Sequence, residues 1–498
     1  MKKQLCLLLT LLCAGSAVLS SCGESAVQPS GETPNTSTAD TAAETETAEP
    51  ANVIPAEYQD DLGTYDFGGR DFNFLLYGDG DPYNWSEVDV LAEAADGETI
   101  NDGIYARNLS LEERLNIKIT GEFNMSAPSV LNKLVQAGDA TYDAAFLRIS
   151  MAGSPAQSGS LLNWKDIPNV DLSKAYWDQS IMRDLSVGGK VYFTTGDIST
   201  IDNQATWTLM FNKHMVDEYD LESPYELVKS GKFTIDKFSE MTKNVSADVD
   251  GDGKYTVADR YGLTTTTDTI YGLFYSTGLT FISKDNNDMP YFDLDVEKAT
   301  DVLAKTGAIF NTENRTLCAQ HISASDVISA IRSVFFEDRG LFYAEVMFHV
   351  ANLRQMATDF GIIPMPKYDE AQKDYITFVN PAGSCLTVPV TNEALADTGV
   401  ILEAMASESY RYLTPAYYDT ALKGKYARDD ESAQMLDLLL QNRVYDLAMV
   451  YGWGSINSGY LSLADKNSTD LSSLVAKKKS SIETAIGKFI DAFETLNG

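Results

Sequence analysis

An alternation of short apolar runs with segments of helical periodicity constrains the fold of this chain more than any other feature. Residues 71–77 alternate and then become apolar, as strands do, and they end in a turn-forming cluster of Gly, Asp and Pro. A helical pattern follows, in which Thr99 and Asp102 predict a capping box. A second helix that ends at Gly138 and a buried strand over 142–147 repeat the unit. The alternation predicts an α/β fold around a parallel sheet with helices on both faces.

Three candidate ligand-binding residues follow two of these predicted strands. Asp79 and Trp85 come after the strand that ends at Tyr77, and Arg148 comes directly after the strand that ends at Leu147. Ligands on sheets of this kind bind outside the carboxyl ends of the strands, which share one rim. We therefore expect these side chains on the ligand-binding side of the sheet, although an aspartate in such a turn can instead cap a helix.

The N-terminus has the pattern of a lipoprotein signal peptide. Lys2 and Lys3 precede an apolar run over 5–19 that is too short to span a bilayer comfortably, and small residues precede Cys22. The pattern predicts a signal peptide over 1–21 and a mature chain that begins at an acylated Cys22. The protein would then be lipid-anchored at the outer face of the cytoplasmic membrane without spanning it. An uncleaved anchor and a secreted protein with a coincidental cysteine are the alternatives.

Residues 22–56 have the composition of a disordered linker. Beyond Cys22 they contain no lysine or arginine and are rich in Ser, Thr, Pro and acidic residues. Such a segment cannot bury enough apolar surface to offset its ordering entropy. We predict a solvated tether that the mutual repulsion of its carboxylates keeps extended.

Length and charge constrain the rest of the chain. Residues 57–498 exceed the ~250 to 300 residues at which a single core stops growing, so two lobes are the simplest expectation. The net charge of −34 argues against a nucleic-acid partner, which needs clustered Lys and Arg. Of the five cysteines only Cys318 and Cys385 fall in this part, and the sequence leaves open whether they form a disulfide.

The middle of the chain contains the segments that carry a family resemblance. They are GGKVYF from Gly188, TWTLMFNKHMVDEYDLESPYELVKSGKFTIDKFSEM from Thr206 and GLFYAEVMFHVANLRQMATDFGIIPMPKYDE from Gly340. Together with later segments in the same order, they resemble the extracellular solute-binding proteins of family 1, which deliver substrates to ABC importers. The residues themselves also predict a helix in the second of these segments, independently of the resemblance. Pro224 stands at its first helical position, and Gly231 stands where the helix ends.

The resemblance implies a two-lobed periplasmic-binding-protein-like fold with a hinge between the lobes. It places residues 57–200 and 382–426 in lobe 1 and residues 201–381 and 427–498 in lobe 2. The crossings between the lobes are expected near residues 196–206, 378–388 and 423–430. Rotation about the crossings would trap a ligand. The implied protein is a monomer and not an enzyme, and it captures a mono- or oligosaccharide for permease subunits of an ABC importer.

Aromatic side chains are further candidates for ligand contact, because flat rings stack on sugar rings. The residues that we single out, with one aspartate on a nearby turn, are Trp85, Trp177, Trp207, Trp453, Tyr417 and Asp197. Trp207 lies beside the first predicted crossing, and Trp453 lies between two glycines, as loop residues do. Packing in the core is the alternative role of each ring.

An aspartate-rich segment has the spacing of a calcium-binding loop. Oxygen donors recur at Asp248, Asp250 and Asp252, with Gly253 at the sharp turn. The remaining positions of the loop are Lys254, Thr256 and Asp259. Asp259 stands where a longer glutamate is usual, which lowers the expected affinity. The sequence predicts a structural Ca²⁺ that stabilises the loop. An Asp-Gly turn that needs no ion is the alternative.

Signatures of catalysis are nearly absent from the sequence. The three histidines form no pair at helical metal-binding spacing, and there is no Gly-x-Ser-x-Gly elbow. The 72 acidic residues are too many to nominate an acid–base pair, which leaves a surface carbohydrate-active enzyme as one alternative. A binding protein for another polar solute, such as a peptide, and a passive lipoprotein scaffold are the others.

Overall fold

The computed structural model describes residues 54–79, 90–311, 315–353, 355–418 and 430–497. The predicted signal peptide, Cys22, nearly all of the linker, Trp85 and most of the third crossing lie outside these residues. Among the helices of the described ranges, none combines the length and the apolar character that crossing a bilayer requires.

The strands of the described residues are β1 (Arg70–Leu76), β2 (Ile117–Phe123), β3 (Ala144–Arg148), β4 (Trp207–Asn212), β5 (Tyr261–Thr265), β6 (Ile282–Lys284), β7 (Pro290–Phe292), β8 (Thr316–Cys318), β9 (Gly340–Val346), β10 (Phe360–Ile363), β11 (Thr377–Phe378), β12 (Ser384–Thr387) and β13 (Arg443–Val444). The helices are α1 (Thr99–Leu115), α2 (Ala127–Ala137), α3 (Ile149–Gln157), α4 (Gln179–Leu185), α5 (Ile201–Gln204), α6 (Lys213–Glu218), α7 (Pro224–Lys229), α8 (Ile235–Thr242), α9 (Thr269–Ser276), α10 (Val296–Asn311), α11 (Val327–Phe336), α12 (Leu395–Tyr418), α13 (Asp430–Gln441), α14 (Leu447–Tyr451), α15 (Ile456–Asp465) and α16 (Leu471–Asn497).

The first sheet has the strand order β12-β3-β1-β2. β1 runs parallel to β2 and to β3, which confirms the predicted strand and helix alternation, whereas β12 pairs antiparallel with β3. Phe72, Phe74 and Phe146 are fully buried in its core. α1 packs along α12, and α2 and α3 pack against β3. The sheet therefore has the layered architecture that its sequence pattern predicts.

The start of α1 differs from its prediction. Glu98, and not Thr99, occupies the N-cap position, and its side chain makes no capping hydrogen bond. Asp102 Oδ1 accepts hydrogen bonds from the backbone N–H groups of Asp96 (2.9 Å) and Gly97 (3.2 Å). The predicted capping box is therefore wrong, because the Asp102 side chain accepts hydrogen bonds from backbone N–H groups of the turn that precedes the helix.

The second sheet has the strand order β10-β4-β9-β5-β8. β5 runs parallel to β8 and β9, and β4 runs antiparallel to β9 and β10. Every residue of β4, β5 and β9 is buried, so both faces of this sheet are covered. α11 packs on β9, α10 on β8 and α13 on β10.

The chain moves between the two sheets, which gives the molecule its two lobes. It passes from β3 in the first sheet to β4 in the second, and it returns to the first sheet at β12. The changes of sheet therefore lie between residues 148 and 207 and between residues 363 and 384, and the crossings near 196–206 and 378–388 stay a prediction. Because α13 packs on β10, the chain is again beside the second sheet from residue 430. The residue boundaries of the lobes stay a prediction.

The C-terminal helices contact both halves of the molecule. α15 and α16 pack on α10, beside the second sheet, whereas α14 packs on α3, which follows the first sheet. The α3–α14 contact depends on Gly153, where a Cβ would lie 2.8 Å from the carbonyl oxygen of Val450 and 2.8 Å from Cδ1 of Tyr451. A larger side chain at this position would force the two helices apart.

A cluster of charged side chains with little exposure to solvent connects the first crossing to the strand pair β11–β13 beside the second crossing. Arg443 in β13 forms ion pairs with Asp178 (Nη2 to Oδ2, 2.8 Å) and Asp202 (Nη1 to Oδ2, 2.9 Å). Its Nη1 also donates to Asn203 Oδ1 at 2.7 Å. Asp178 precedes α4, Asp202 lies in the first crossing, and β13 pairs with β11 just before the second crossing. Burial alone would lower the pKa of Arg443, but the two carboxylates raise it above its usual value.

Candidate ligand-binding site

A cavity of about 580 Å³ lies where β5 and β9 end and β4 begins. Trp207 at the start of β4 pairs with Val346 at the end of β9, which brings both ends to one rim. The lining residues are Trp207, Thr266, Asp268, Gln320, Asp326, Ile328, Ser329, Arg332, Glu345, Phe348, His349, Asn352 and Asn380. The cavity therefore lies at the carboxyl ends of parallel strands, where ligands of α/β sheets bind.

Asp268 lines this cavity, and Arg148 of the other sheet lies near enough for its positive charge to act on the Asp268 carboxylate. Arg148 ends β3, and its Nη1 donates to the Tyr77 hydroxyl at 3.2 Å while its guanidinium lies 5.7 Å from the centre of that ring. Asp268 lines the cavity from the turn between β5 and α9. Enclosure by protein raises the pKa of Asp268, and the positive charge of Arg148 opposes that rise. This electrostatic effect indicates that the end of β3, in the first sheet, lies near the cavity wall formed by the second sheet.

Glu345 is the buried acid of the cavity. Burial raises its pKa to about 7, to which the negative charge of Asp268 contributes, while the backbone N–H of Val346 and the Thr266 side chain donate to the carboxylate. His349 Nε2 lies 3.9 Å from Oε2 of Glu345, and burial lowers the pKa of His349 to about 4. Near pH 7 the imidazole is therefore neutral, and Glu345 can both donate and accept a hydrogen bond.

Trp207 borders the cavity by its edge. Its side chain is 1% exposed, and a Cβ on Gly272 of α9 would lie 3.6 Å from Cδ2 of the indole, so the glycine lets the helix cover one face of the ring. The indole Nε1 has no hydrogen-bond partner among the described residues. The structure therefore gives Trp207 an unused donor in place of the open stacking face that the sequence predicts.

Trp177 and Trp453 lie in the core. Trp177 Nε1 donates to Glu403 Oε2 at 3.1 Å, and its ring centre lies 5.5 Å from that of Trp164. Trp453 stacks on Tyr451 at 4.9 Å with an interplanar angle of 8°. Only 1% of Trp177 and 5% of Trp453 is exposed. The structure corrects both predictions of ligand contact, because these rings are enclosed by their own packing partners and do not line the cavity.

The other predicted site residues are scattered. Asp197 lies in the first crossing, where enclosure by protein and the nearby charge of Asp202 raise its pKa to about 8. Tyr417 is buried near the end of α12, with its ring edge-on to Tyr418. Asp79 is exposed just beyond β1. Of the predicted residues that the structure describes, Trp207 lines the cavity, and Arg148 lies close enough for its charge to act on Asp268 of the cavity wall.

Asp248, Asp250 and Asp252 converge as the calcium motif requires. One carboxylate oxygen of each lies within 4.8 Å of the other two. The loop begins and ends at Ala247 and Arg260, which exchange backbone hydrogen bonds in an antiparallel bridge. It lies between α8 and β5, so a strand takes the place of the second helix of an EF-hand.

Asp259 closes the loop from within. It is fully buried, and its carboxylate accepts hydrogen bonds from the backbone N–H groups of Val249 (2.8 Å) and Thr256 (2.7 Å). Burial would raise the pKa of Asp259, but these donors hold it below the usual range. Lys254 donates its backbone N–H to Asp252 Oδ1 at 2.8 Å. The residues present can therefore offer a cation a cluster of carboxylate oxygens on a pre-formed turn.

Sequence reasoning missed most of the cavity, although two signals could have found it. Asp268 follows the strand β5 by the same carboxyl-end rule that selected Arg148. Glu345 is the one charged residue in an otherwise apolar strand, where an ionisable group is costly. His349 has no comparable signal, because its place depends on the fold of the segment after β9.

The sequence matches no protein-family model and no curated protein. Solved structures nevertheless share its architecture. A cyclo/maltodextrin-binding protein complexed with maltotetraose gives a TM-score of 0.51 at 13% identity, covering 85% of this chain and 96% of that chain. An ABC substrate-binding protein from Listeria monocytogenes in complex with cycloalternan gives 0.52 at 11%, covering 86% and 99%. The M. tuberculosis protein UspC gives 0.53 at 12%, covering 83% and 100%.

These similarities concern the fold. They extend over almost the whole length of each solved chain and over most of this one. The chain therefore has the two-lobed α/β fold of the periplasmic binding proteins, which confirms the fold that the sequence resemblance implies.

Proposed function

We propose that this protein is the substrate-binding component of an ABC importer and captures a mono- or oligosaccharide between its lobes. The observation that carries the proposal is the cavity at the ends of β5 and β9, whose Asp268 lies within electrostatic reach of Arg148 at the end of β3 in the other sheet. A ligand bound by both would hold the lobes together, as closure around a ligand requires. Two of the solved structures with this fold are described in complex with maltotetraose and with cycloalternan, which supports a sugar.

The chemistry of the cavity suits a hydroxyl-rich ligand. Asp268 supplies a carboxylate that has no Lys, Arg or His at ion-pair distance in the described part of the chain. Glu345, His349 and the indole of Trp207 add groups that donate or accept, and Phe348 adds apolar surface. A few convergent polar groups beside aromatic side chains are typical of small-molecule sites.

The same proposal covers the location and the partners of the protein. Acyl chains on Cys22 hold it at the outer face of the cytoplasmic membrane. The permease subunits of the importer receive the ligand from a monomer that performs no catalysis.

Titration calorimetry of the purified protein against a library of mono- and oligosaccharides tests the function. We expect one saturable site, and we expect Asp268→Asn to weaken binding about tenfold to a hundredfold, because a hydrogen bond to a charged group contributes ~1.5–3 kcal/mol. Asp491→Asn, on the exposed face of α16, is the control and should bind like the parent. Binding of a peptide or another solute with no response to sugars would contradict the substrate class, and release of glycan fragments would favour an enzyme.

The aspartate-rich loop is proposed to bind a structural Ca²⁺. Chelation should lower the melting temperature modestly, and Asp250→Ala should remove that sensitivity, because losing one carboxylate weakens a site for a hard cation. Differential scanning calorimetry with chelator and with excess calcium measures both effects.

Asp293→Ala, an exposed aspartate outside the loop, provides the control for the calcium experiment. It should keep the full response to chelator. Identical melting of the parent protein in chelator and in calcium would leave only an ion-free turn stabilised by its own backbone hydrogen bonds.

A further inference from the structure

Arg332 is the only positively charged side chain among the described residues that line the cavity at the ends of β5 and β9. His349, the other basic residue of the lining, is neutral near pH 7 because burial lowers its pKa to about 4. Arg332 belongs to α11, which forms one wall of the cavity together with Ile328 and Ser329 of its first turn. The cavity therefore has one permanent cation, and it lies on a helix.

The protein uses little of the hydrogen-bonding capacity of this cation. Arg332 Nη2 donates to Ser329 Oγ at 2.9 Å, and within the described ranges no carboxylate lies at ion-pair distance from the guanidinium. The side chain is half-buried. A guanidinium has five N–H donors and keeps its charge in proteins. Arg332 therefore offers the cavity a positive charge and several donors that have no partner in the described part of the chain.

The carboxylate of Asp326, which also lines the cavity, is engaged in capping α11. Asp326 occupies the N-cap position, and its Oδ1 accepts a hydrogen bond from the backbone N–H of Ser329 at 3.0 Å. Hydrogen bonds from Ser329 lower the pKa of Asp326, and the charge of Arg332 lowers it further. Asp326 therefore opposes the charge of Arg332 from a distance but leaves the N–H donors of the guanidinium open.

The carboxylates at the strand ends and the guanidinium on α11 act on different neighbours. Burial, and then the negative charge of Asp268, raise the pKa of Glu345. Burial, and then the positive charge of Arg332, lower the pKa of His349 against the opposing charge of Asp326. The imidazole contacts the first set, since His349 Nε2 lies 3.9 Å from Glu345 Oε2. The wall thus has an acidic part, which accepts hydrogen bonds from hydroxyl groups, and a basic position, which can only donate.

We infer that the ligand is an acidic sugar, whose anionic group, a carboxylate or a phosphate, pairs with Arg332 while its hydroxyls bind Asp268 and Glu345. The inference rests on the proposed function and specifies its substrate class. The planar fork of a guanidinium matches two oxygens of a carboxylate or a phosphate, and bonds between charged groups are stronger than bonds to a neutral hydroxyl. A bound neutral sugar would remove water from the guanidinium without supplying a counter-charge, which is costly. The net charge of −34 repels anions at long range, so a local cation is needed for this recognition.

Matched neutral and acidic sugars test the inference. Calorimetry with the full chain would compare mono- and disaccharides of glucose, galactose and mannose with the corresponding uronates and 6-phosphates. At least one acidic sugar should bind about tenfold or more tightly than its neutral parent. Arg332→Gln should remove that advantage by weakening the binding of the acidic sugar about tenfold to a hundredfold, with little effect on the neutral one. The uronate and phosphate series show which anionic group the site prefers.

Two further variants make the result specific to the guanidinium. Arg332→Lys keeps the charge without the planar fork and should retain part of the preference for the acidic sugar. Lys488→Gln removes a positive charge from the exposed surface of α16, outside the cavity lining, and should bind every sugar like the parent. Melting curves establish that each variant is folded.

The outcomes separate this inference from the proposed function. Neutral sugars that bind as tightly as their acidic counterparts would overturn the inference and leave the proposed function intact. The same conclusion would follow if Arg332→Gln weakened both classes equally, because Arg332 would then be a donor to hydroxyl groups or a structural residue. An absence of binding by every sugar, neutral or acidic, would overturn both.

Discussion

Arg443→Ala should lower the free energy of unfolding by about 3–5 kcal/mol, because removing one partner of a buried ion pair leaves an uncompensated charge in the interior. The loss leaves two carboxylates without their ion-pair partner, since Arg443 pairs with both Asp178 and Asp202. The side chains of these two aspartates are 3% and 2% exposed. It also detaches β13 from the first crossing. Urea unfolding followed by circular dichroism measures the change.

A charge-free version of the cluster is the matched control. The triple variant Arg443→Met, Asp178→Asn, Asp202→Asn removes all three charges together and should be more stable than Arg443→Ala, because it leaves no unpaired charge in the interior. If Arg443→Ala costs less than ~1 kcal/mol, the cluster behaves like an exposed ion pair, and its role between the crossings would be refuted.

Trp453→Ala should lower the free energy of unfolding by ~3–5 kcal/mol, the usual cost of truncating a buried aromatic side chain to alanine. The ring lies in parallel contact with Tyr451 and 5.2 Å from Phe489 of α16, so its loss leaves a cavity where α14 and α16 meet. Affinity for the ligand should not change, because Trp453 does not line the cavity at the ends of β5 and β9. Unfolding and calorimetric titration of one preparation measure both quantities.

Trp453→Phe serves as the control for volume. Most of the apolar contact survives in this variant, so it should retain more stability than the alanine variant. A weakened affinity with unchanged stability would show the opposite of our interpretation, namely that Trp453 recognises ligand and contributes little to packing.

Local patterns are enough to predict the first sheet. β1, β2 and β3 follow from apolar runs with turn signals, and Gly138 ends α2 in the left-handed conformation that its position indicates (φ 70°). The calcium motif is equally local, since its aspartates lie within a few positions of one another and converge through one turn. Such features depend on neighbours in the sequence, which is why the sequence alone reveals them.

The role of each tryptophan is not local. Trp177 donates a hydrogen bond to Glu403, which lies 226 positions further along the chain. Trp453 packs against Phe489 of the C-terminal helix α16. Trp207 reaches the cavity only because β4 begins beside the end of β9. Composition and turn signals make these tryptophans equally good candidates for ligand contact. Only the pairing of strands that are distant in the sequence determines which ring lies in the core and which lines the cavity.

The acidic residues of the cavity were hidden for the same reason. Asp268 and Glu345 belong to the parallel neighbours β5 and β9, whose register aligns Thr265 with Ala344. The helices and strands between them are needed to bring the two carboxyl groups together. An argument from spacing along the sequence has no access to this proximity.

The position of β12 has a consequence for how the chain matures. This strand, residues Ser384–Thr387, completes a sheet whose first strand begins at Arg70, and its register pairs Thr387 with Ala145. A growing polypeptide therefore lacks an edge of its N-terminal sheet until most of its length has been made. Contacts this distant in sequence form slowly, because the closure entropy of the intervening segment must be overcome first. The export that the proposed function requires would benefit from this delay, because a chain that has not yet folded can cross a membrane in an extended state.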